Sequence, residues 1–261
     1  MLRPRVIPAL LLRDRSLVKT VQFGRFDYIG DPTNTVRIFN ELEVDELAFL
    51  DITASLDGSE PNVELLADIA NECFMPLSYG GAIRSVAHAR TILSIGYEKV
   101  VVNSAAFEDP DLVTRLADQF GSQAVIVSID VRRNRDGTPT VWVRSGSVDT
   151  GKDPVEWAVE SARRGAGEIL LTSIDREGTW SGYDMDLVRA VSDTIGIPLI
   201  AHGGAGSVDD IERVIIEGGA SAAAVGSMVV FQKRGMGVLV NFPTSDRFAR
   251  LGRNSDGAAV P

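Results

Sequence analysis

Two short patterns in this chain have the residue types and spacing to hold anions. Gly80-Gly81-Ala82 and Gly203-Gly204-Ala205 lie 123 residues apart, and Asn103-Ser104 is separated from Gly226-Ser227 by the same 123 residues. Each pattern follows an apolar run and precedes an amphipathic one. Backbone N–H groups, unobstructed by large side chains, then point outward where a helix begins, and phosphate is favoured there. Gly81, Asn103 and Ser104 would form one phosphate site, and Gly203, Gly204, Gly226 and Ser227 a second. A tight turn alone would explain any single Gly-Gly pair. Four motifs in register imply instead a long, phosphorylated small molecule carrying an anion at each end.

Such loops need a scaffold that brings them to one face. Eight apolar runs read as strands, at 5–12, 46–51, 75–80, 99–103, 124–130, 167–173, 197–202 and 222–227. Helical patterns fall between them near 31–43, 59–73, 84–95, 109–120, 153–164, 183–195 and 207–217. Asp31-Pro32, Asp109-Pro110 and Asp153-Pro154 open three of these, with Asp as the expected N-cap and Pro at the first helical position. Strands apolar on both faces, each followed by a helix, predict a parallel sheet covered by helices, and eight such units predict an α/β fold of the (βα)8 TIM-barrel type. An open doubly wound sheet is the alternative; no GxGxxG or GxxxxGK[ST] follows the first strand to favour it. Gly96 against Gly219, also at 123, and Glu46 against Glu168, at 122, extend the repeat and point to two fused half-barrels. The βα loops of a barrel gather at one mouth, which would put the two phosphate sites across it from each other.

Of 261 residues, 36 are acidic and 26 basic, a formal charge of −10 that argues against binding the nucleic-acid backbone. At 44% hydrophobic and 24% charged, the chain has the composition of a soluble globular protein. Cys73 is the only cysteine, so no internal disulfide forms, and a reducing, cytoplasmic location is expected. Arg3 and Arg5 ahead of Ile7 to Leu12 mimic a secretion signal, but Arg13-Asp14 closes that run early and no cleavage site follows. No stretch approaches the roughly 18 apolar residues of a membrane span, so no membrane partner is expected. With two histidines, one cysteine and no HExxH, neither a metal site nor a cofactor is expected. Residues 1–243 read as a single domain, and 244–261, rich in Arg, Ser, Asp, Gly and Ala, as a solvated tail.

The segments DELAFLDITAS (45–55), FGSQAVIVSID (120–130), RGAGEILLTSIDREGTWSGYD (164–184) and GGAG (203–206) resemble HisF, the cyclase subunit of imidazole glycerol phosphate synthase. The likeness covers about residues 1–232. It implies a barrel that pairs with a HisH-like glutaminase, receives ammonia through its centre and joins it to a bis-phosphorylated substrate. Cleavage and cyclisation would then give imidazole glycerol phosphate and an aminoimidazole nucleotide.

The resemblance also implies two catalytic aspartates, at the ends of the first and fifth strands. Asp130 matches the second. The first falls where this chain reads Ala9-Leu10-Leu11-Leu12, so Leu11 stands at the carboxylate's position, and leucine transfers no proton. Asp14 lies three residues on, about 10 Å of extended strand away, and does not substitute. Other departures are Ala82 for a third glycine, His202 for a small residue and Glu177 for the Asp of a DRDGT motif. Lys19 matches a loop residue tied to catalysis in the family. Arg5, Glu46, Lys99 and Glu168 match a charged ring that gates ammonia at the base of the barrel; they begin strands one, two, four and six here, and their balanced signs suit a buried ring.

The two ends, IPALLLRDRSLVKTVQF (7–23) and SMVVFQKRGMGVLVNFP (227–243), are similar to HisF paralogues of the AglZ/WbuZ type, associated with acetamidino modification of surface-polysaccharide sugars. Gly235, Gly237 and Pro243 break the long final helix expected of a histidine-pathway member. In that subfamily the barrel would relay ammonia from the glutaminase to a separate sugar amidotransferase. Three readings therefore compete: an ammonia-relay subunit, a true cyclase, and a non-catalytic activator of a glutaminase. Leu11 separates the second from the others. His202 is equally readable as a packed strand-end histidine or as a group that binds or protonates something, and His88 as a surface residue.

Overall fold

The computed structural model describes residues 4–243 and residue 248. In chain order its elements are β1 (Arg5–Arg13), β2 (Ser16–Thr20), β3 (Phe26–Gly30), α1 (Pro32–Glu41), β4 (Leu47–Asp51), α2 (Ala54–Asp57), α3 (Val63–Glu72), β5 (Leu77–Gly80), α4 (Val86–Ser94), β6 (Lys99–Val102), α5 (Ser104–Glu108), α6 (Asp111–Phe120), β7 (Val125–Arg133), β8 (Pro139–Val143), β9 (Val148–Asp149), α7 (Pro154–Arg163), β10 (Glu168–Ser173), α8 (Met185–Ser192), β11 (Leu199–His202), α9 (Val208–Ile216), β12 (Ala222–Val225) and α10 (Ser227–Val230). Eight strands pair in parallel in the order β1, β4, β5, β6, β7, β10, β11, β12, and β12 returns to β1. The sheet is a closed (βα)8 barrel, as the eight apolar runs predict.

Strand periodicity sorts the side chains. Ile7, Ala9, Ala48, Val101, Ile126, Leu170, Ile200, Ala222 and Ala224 form one small cluster, inside the barrel. Their neighbours in sequence, such as Val6, Leu10, Phe49 and Val102, face outward into the larger core beneath the helices. Phe39 of α1, Ile69 of α3 and Leu116 of α6 are fully buried there, each burial stabilising by roughly 1.5–3 kcal/mol. Asp31 and Asp153 cap α1 and α7, accepting from the N–H groups of Asn34, and of Val155 and Glu156. The third Asp-Pro behaves differently: α6 has Pro110 as its N-cap without a side-chain bond, and the Asp109 carboxylate instead meets Arg115 at 2.6 Å. The runs expected at 75–80 and 197–202 start as strands only at Leu77 and Leu199. Pro76 and Pro198 precede them, and proline has no N–H to offer the ladder.

The halves repeat each other in detail. Ser85 caps α4 and Ser207 caps α9. The residues before the short helices α5 and α10 share an unusual backbone, φ −128° and ψ −92° at Asn103 against −120° and −88° at Gly226. Antiparallel extensions absent from the strand pattern follow the first and fifth barrel strands: β2 and β3 continue from β1, and β8 and β9 from β7. In each, an arginine at the end of the barrel strand covers an aromatic ring of the extension. The Arg13 guanidinium lies 4.0 Å from the Phe26 ring centre, and that of Arg132 4.6 Å from Trp142.

After α10 the chain folds back rather than forming another helix. Phe231 bridges to Val238, Gln232 N–H donates to Gly237 C=O at 3.1 Å, and Gly235 takes φ +75°, which glycine adopts without strain. The tail reading of 244–261 falls outside the described residues apart from Phe248, which is 4% exposed and packs beside Phe242. Among the described residues no helix is long and apolar enough to cross a membrane, and no cluster of His, Cys, Asp and Glu is arranged to hold a metal ion.

Candidate functional site

The C-terminal ends of the barrel strands surround a cavity of about 470 Å³, bounded by Leu11 and Arg13, Leu50 and Asp51, Gly80 and Gly81, Asn103 and Ser104, Ser128 and Asp130, Thr172, Glu177 and His202. Asp130, near the end of the fifth barrel strand, is 9% exposed. Asn103 Nδ2 donates to its Oδ2 at 2.9 Å and Ser128 Oγ to its Oδ1 at 3.3 Å. Burial outweighs these hydrogen bonds and pushes its carboxyl up to about 7. A carboxyl there can accept or release a proton near neutral pH.

Leu11 is the counterpart of Asp130 in the first half. Leu11 pairs with Leu50 of β4, and Asp130 with Thr172 of β10. No neighbouring acid covers the gap. Asp51 Oδ1 accepts from Thr53 N–H, Thr53 Oγ1 and Ala54 N–H at 2.9–3.0 Å, and Asp14 sits exposed in the β1–β2 turn. At the position facing Asp130 across the mouth the first strand thus presents Leu11 in place of a carboxyl.

Lys19 lies on a strand of the first extension rather than in a loop, and is 5% exposed. Its Nζ pairs with Glu177 Oε1 and donates to Thr20 C=O, and Phe23 N–H donates to Glu177 Oε2. Burial pushes the Lys19 ammonium down to about 7. Burial, together with the positive charge of Lys19, pushes His202 down to about 3, so its imidazole is neutral at ordinary pH. Its Nδ1 lies 3.2 Å from Thr172 Oγ1. His202 is thus buried at a strand end and also borders the mouth. His88 is half-buried, its Nδ1 3.1 Å from Ala82 C=O.

The first glycine cradle opens on the mouth. Gly81 has φ +148°, and a Cβ there would stand 2.6 Å from Asp51 Cβ and 2.8 Å from Tyr79 OH. Ala82 carries φ +51°, a left-handed conformation that costs a non-glycine residue about 1 kcal/mol or more. Asn103 is held by Asp130, and Ser104 Oγ accepts from Arg144 N–H at 2.9 Å. The second cradle is more closed. Side chains at Gly203 and Gly204 would strike Ser173 C=O and Gly182 C=O, and Lys19 packs over Gly226 beside Ser227.

At the opposite end the four charges form a closed circuit. Arg5 meets Glu46 at 2.7 Å and Glu168 at 3.0 Å, and Lys99 meets both carboxylates at 3.1 Å. Glu46 is 3% exposed, whereas the Arg5 side chain is 28% exposed, so the ring is buried on one side and open on the other. Each cation is shared between both anions. Between ring and mouth lies the apolar interior, with alanine at four positions on three strands.

Several mouth residues escaped the sequence reading. Ser128 and Thr172 touch or neighbour Asp130, and counting back two residues from Asp130 along a strand would have found Ser128. Two residues forward from Leu11, on the same face of the strand, is Arg13. Thr20, whose buried Oγ1 has no hydrogen-bond partner and which borders the cavity, left no signal, because the strand that carries it was not in the apolar pattern.

Residues 5–234 match the family described as histidine biosynthesis protein. A protein from Pseudomonas aeruginosa with the provisional name imidazole glycerol phosphate synthase subunit hisF2 is 49% identical over 243 residues, covering 93% of this chain and 97% of the relative. One from Leptospira borgpetersenii, provisionally named as the HisF subunit of the same synthase, is 47% identical, covering 93% and 96%. The imidazole glycerol phosphate synthase subunit HisF of Alkaliphilus metalliredigens is 45% identical over 228 residues, covering 87% and 90%.

Proposed function

Because the chain belongs to the histidine biosynthesis protein family and is a HisF-like barrel, we propose that it is the acceptor-side subunit of a glutamine-dependent amidotransferase. A HisH-type glutaminase docks at the charged ring, and ammonia crosses the apolar interior to the mouth. The ring carries this reading. Four charges closed on one another at the N-terminal end of the strands serve no acid–base chemistry at the far mouth, and their alternating signs make the barrel base self-neutralising. Small interior side chains such as Ala9, Ala48, Ala222 and Ala224 suit passage of a small neutral molecule.

At the mouth, Leu11 opposite Asp130 favours relay over ring closure. The ammonia is then handed on for acetamidino modification of a surface-polysaccharide sugar, with a separate sugar amidotransferase as receiver. The names of the relatives favour a second reading, the cyclase subunit of imidazole glycerol phosphate synthase in histidine biosynthesis, which acts on a bis-phosphorylated substrate. The two diverge on one measurement. Given ammonium salt and the bis-phosphorylated ribulosyl aminoimidazole substrate, a relay subunit forms no imidazole glycerol phosphate above background; turnover at an ordinary enzyme rate would establish the cyclase. A mere glutaminase activator would stimulate glutamine hydrolysis yet be indifferent to changes inside the barrel.

A further inference from the structure

We propose that the second glycine cradle is already filled by the chain's own Lys19–Glu177 pair, so that the mouth takes a ligand with one phosphate-like anion rather than two. This deepens, and rests on, the reading of the mouth as a phosphate site. The space is the first argument. The cradle of Gly203, Gly204, Gly226 and Ser227 retains about 10 Å³, against about 470 Å³ in the mouth. Room on that scale holds roughly one water and no phosphate. The missing side chain of Gly226 does not leave a vacancy: Lys19 Cε lies 2.8 Å from the point where a Gly226 Cβ would stand.

Charge is the second argument. Glu177 is 1% exposed and brings a carboxylate to the cradle with both oxygens engaged, one by Lys19 Nζ and one by Phe23 N–H. An arriving phosphate would meet a cation already neutralised and a buried like charge beside it, and a like charge in a desolvated site is strongly disfavoured. His202, the remaining titratable group there, is neutral. The first cradle differs, since Gly81, Asn103 and Ser104 line the open cavity. Arg13, which also lines that cavity, stacks on Phe26 and forms no ion pair among the described residues. The first cradle opens on the cavity, while the second is occupied by the chain's own carboxylate and ammonium.

The test is calorimetric titration of the complete chain with hexyl phosphate and with linear alkane bisphosphates of four to eight carbons, at fixed ionic strength. We expect each bisphosphate to bind within about threefold of hexyl phosphate. Glu177→Ala empties the cradle and frees Lys19, and should tighten the best bisphosphate about tenfold while leaving the affinity of the first hexyl phosphate bound unchanged. A bisphosphate that binds the unaltered chain ten times more tightly than hexyl phosphate overturns the inference, as does a folded Glu177→Ala chain that shows no gain. Should that variant not fold, crystals of the unaltered chain soaked in inorganic phosphate decide: an anion on the Gly81 side alone supports the inference, and anions in both cradles overturn it. Binding of neither organic probe removes the phosphate reading of the mouth itself, and this inference with it.

Discussion

Asn103 donates from Nδ2 to Asp130 Oδ2 across 2.9 Å, tying the loop after the fourth barrel strand to the fifth. The bond favours the ionised carboxylate, yet burial still holds Asp130 near 7. An acid whose pKa is higher folded than unfolded keeps a proton in the native state that the unfolded chain has already shed. Stability therefore falls as pH rises between about 4 and 7 and is level outside that window.

Asp130→Asn should remove that slope. Relative to its difference at pH 4, the variant should gain about 4 kcal/mol over the unaltered chain by pH 8. Urea unfolding at the two pH values measures it; parallel curves for both chains would mean that Asp130 titrates as an ordinary carboxyl.

Leu11→Asp restores a carboxyl across from Asp130. Positioned acid–base groups contribute about 10² to 10⁴ in rate, so on the relay reading a trace of ammonia-dependent imidazole glycerol phosphate formation should appear in the variant and none in the unaltered chain. No gain in a folded variant would place the defect in His202, Ala82 or Glu177. The same change puts a second carboxyl into a site 6% exposed, and should lower the unfolding midpoint at pH 8 more than at pH 4.

Lys99→Ala leaves Glu46 and Glu168 to share Arg5 alone. A fully buried orphan would cost roughly 3–5 kcal/mol, but the ring is partly open to solvent at Arg5, and about 1–3 kcal/mol is expected. With the glutaminase and sugar amidotransferase present, product per glutamine consumed should fall. An unchanged ratio in a variant that still binds the glutaminase would rule out passage through the barrel.

Gly81→Ala tests the open cradle. At φ +148° with Asp51 Cβ 2.6 Å from the new methyl, we expect a loss of about 1–3 kcal/mol in stability and loss of hexyl phosphate binding. Retained binding in the folded variant would move the anion site away from Gly81.

The barrel was legible because its signals are local. Eight apolar runs, Asp31 and Asp153 as caps, and glycines at a fixed offset each report on their own segment, and only closure was inferred. The extension after β1 was illegible because Ser16–Thr20 and Phe26–Gly30 carry mixed polarity and depend on pairing with a longer strand. Lys19 and Glu177 were visible singly, one as a match and one as a departure. That they meet is a contact over 158 residues of chain, set by how one extension leans over the mouth. The Arg5, Glu46, Lys99 and Glu168 ring is implied by resemblance, but its unequal exposure depends on how the strand ends pack around it, which no single segment records.

The paired arginine-on-aromatic caps, Arg13 over Phe26 and Arg132 over Trp142, give this molecule an experimental control of its own. Each half is a rehearsal of the other with the same scaffold and different chemistry beneath. Arg132 also donates to Gly146 C=O and Gln22 C=O, so its stack is anchored, whereas Arg13 is left to the solvent and whatever enters. Truncating one and then the other compares an architectural arginine with an unemployed one inside a single polypeptide. The part of the loss that both share belongs to the scaffold, and the excess at Arg13 belongs to its guest.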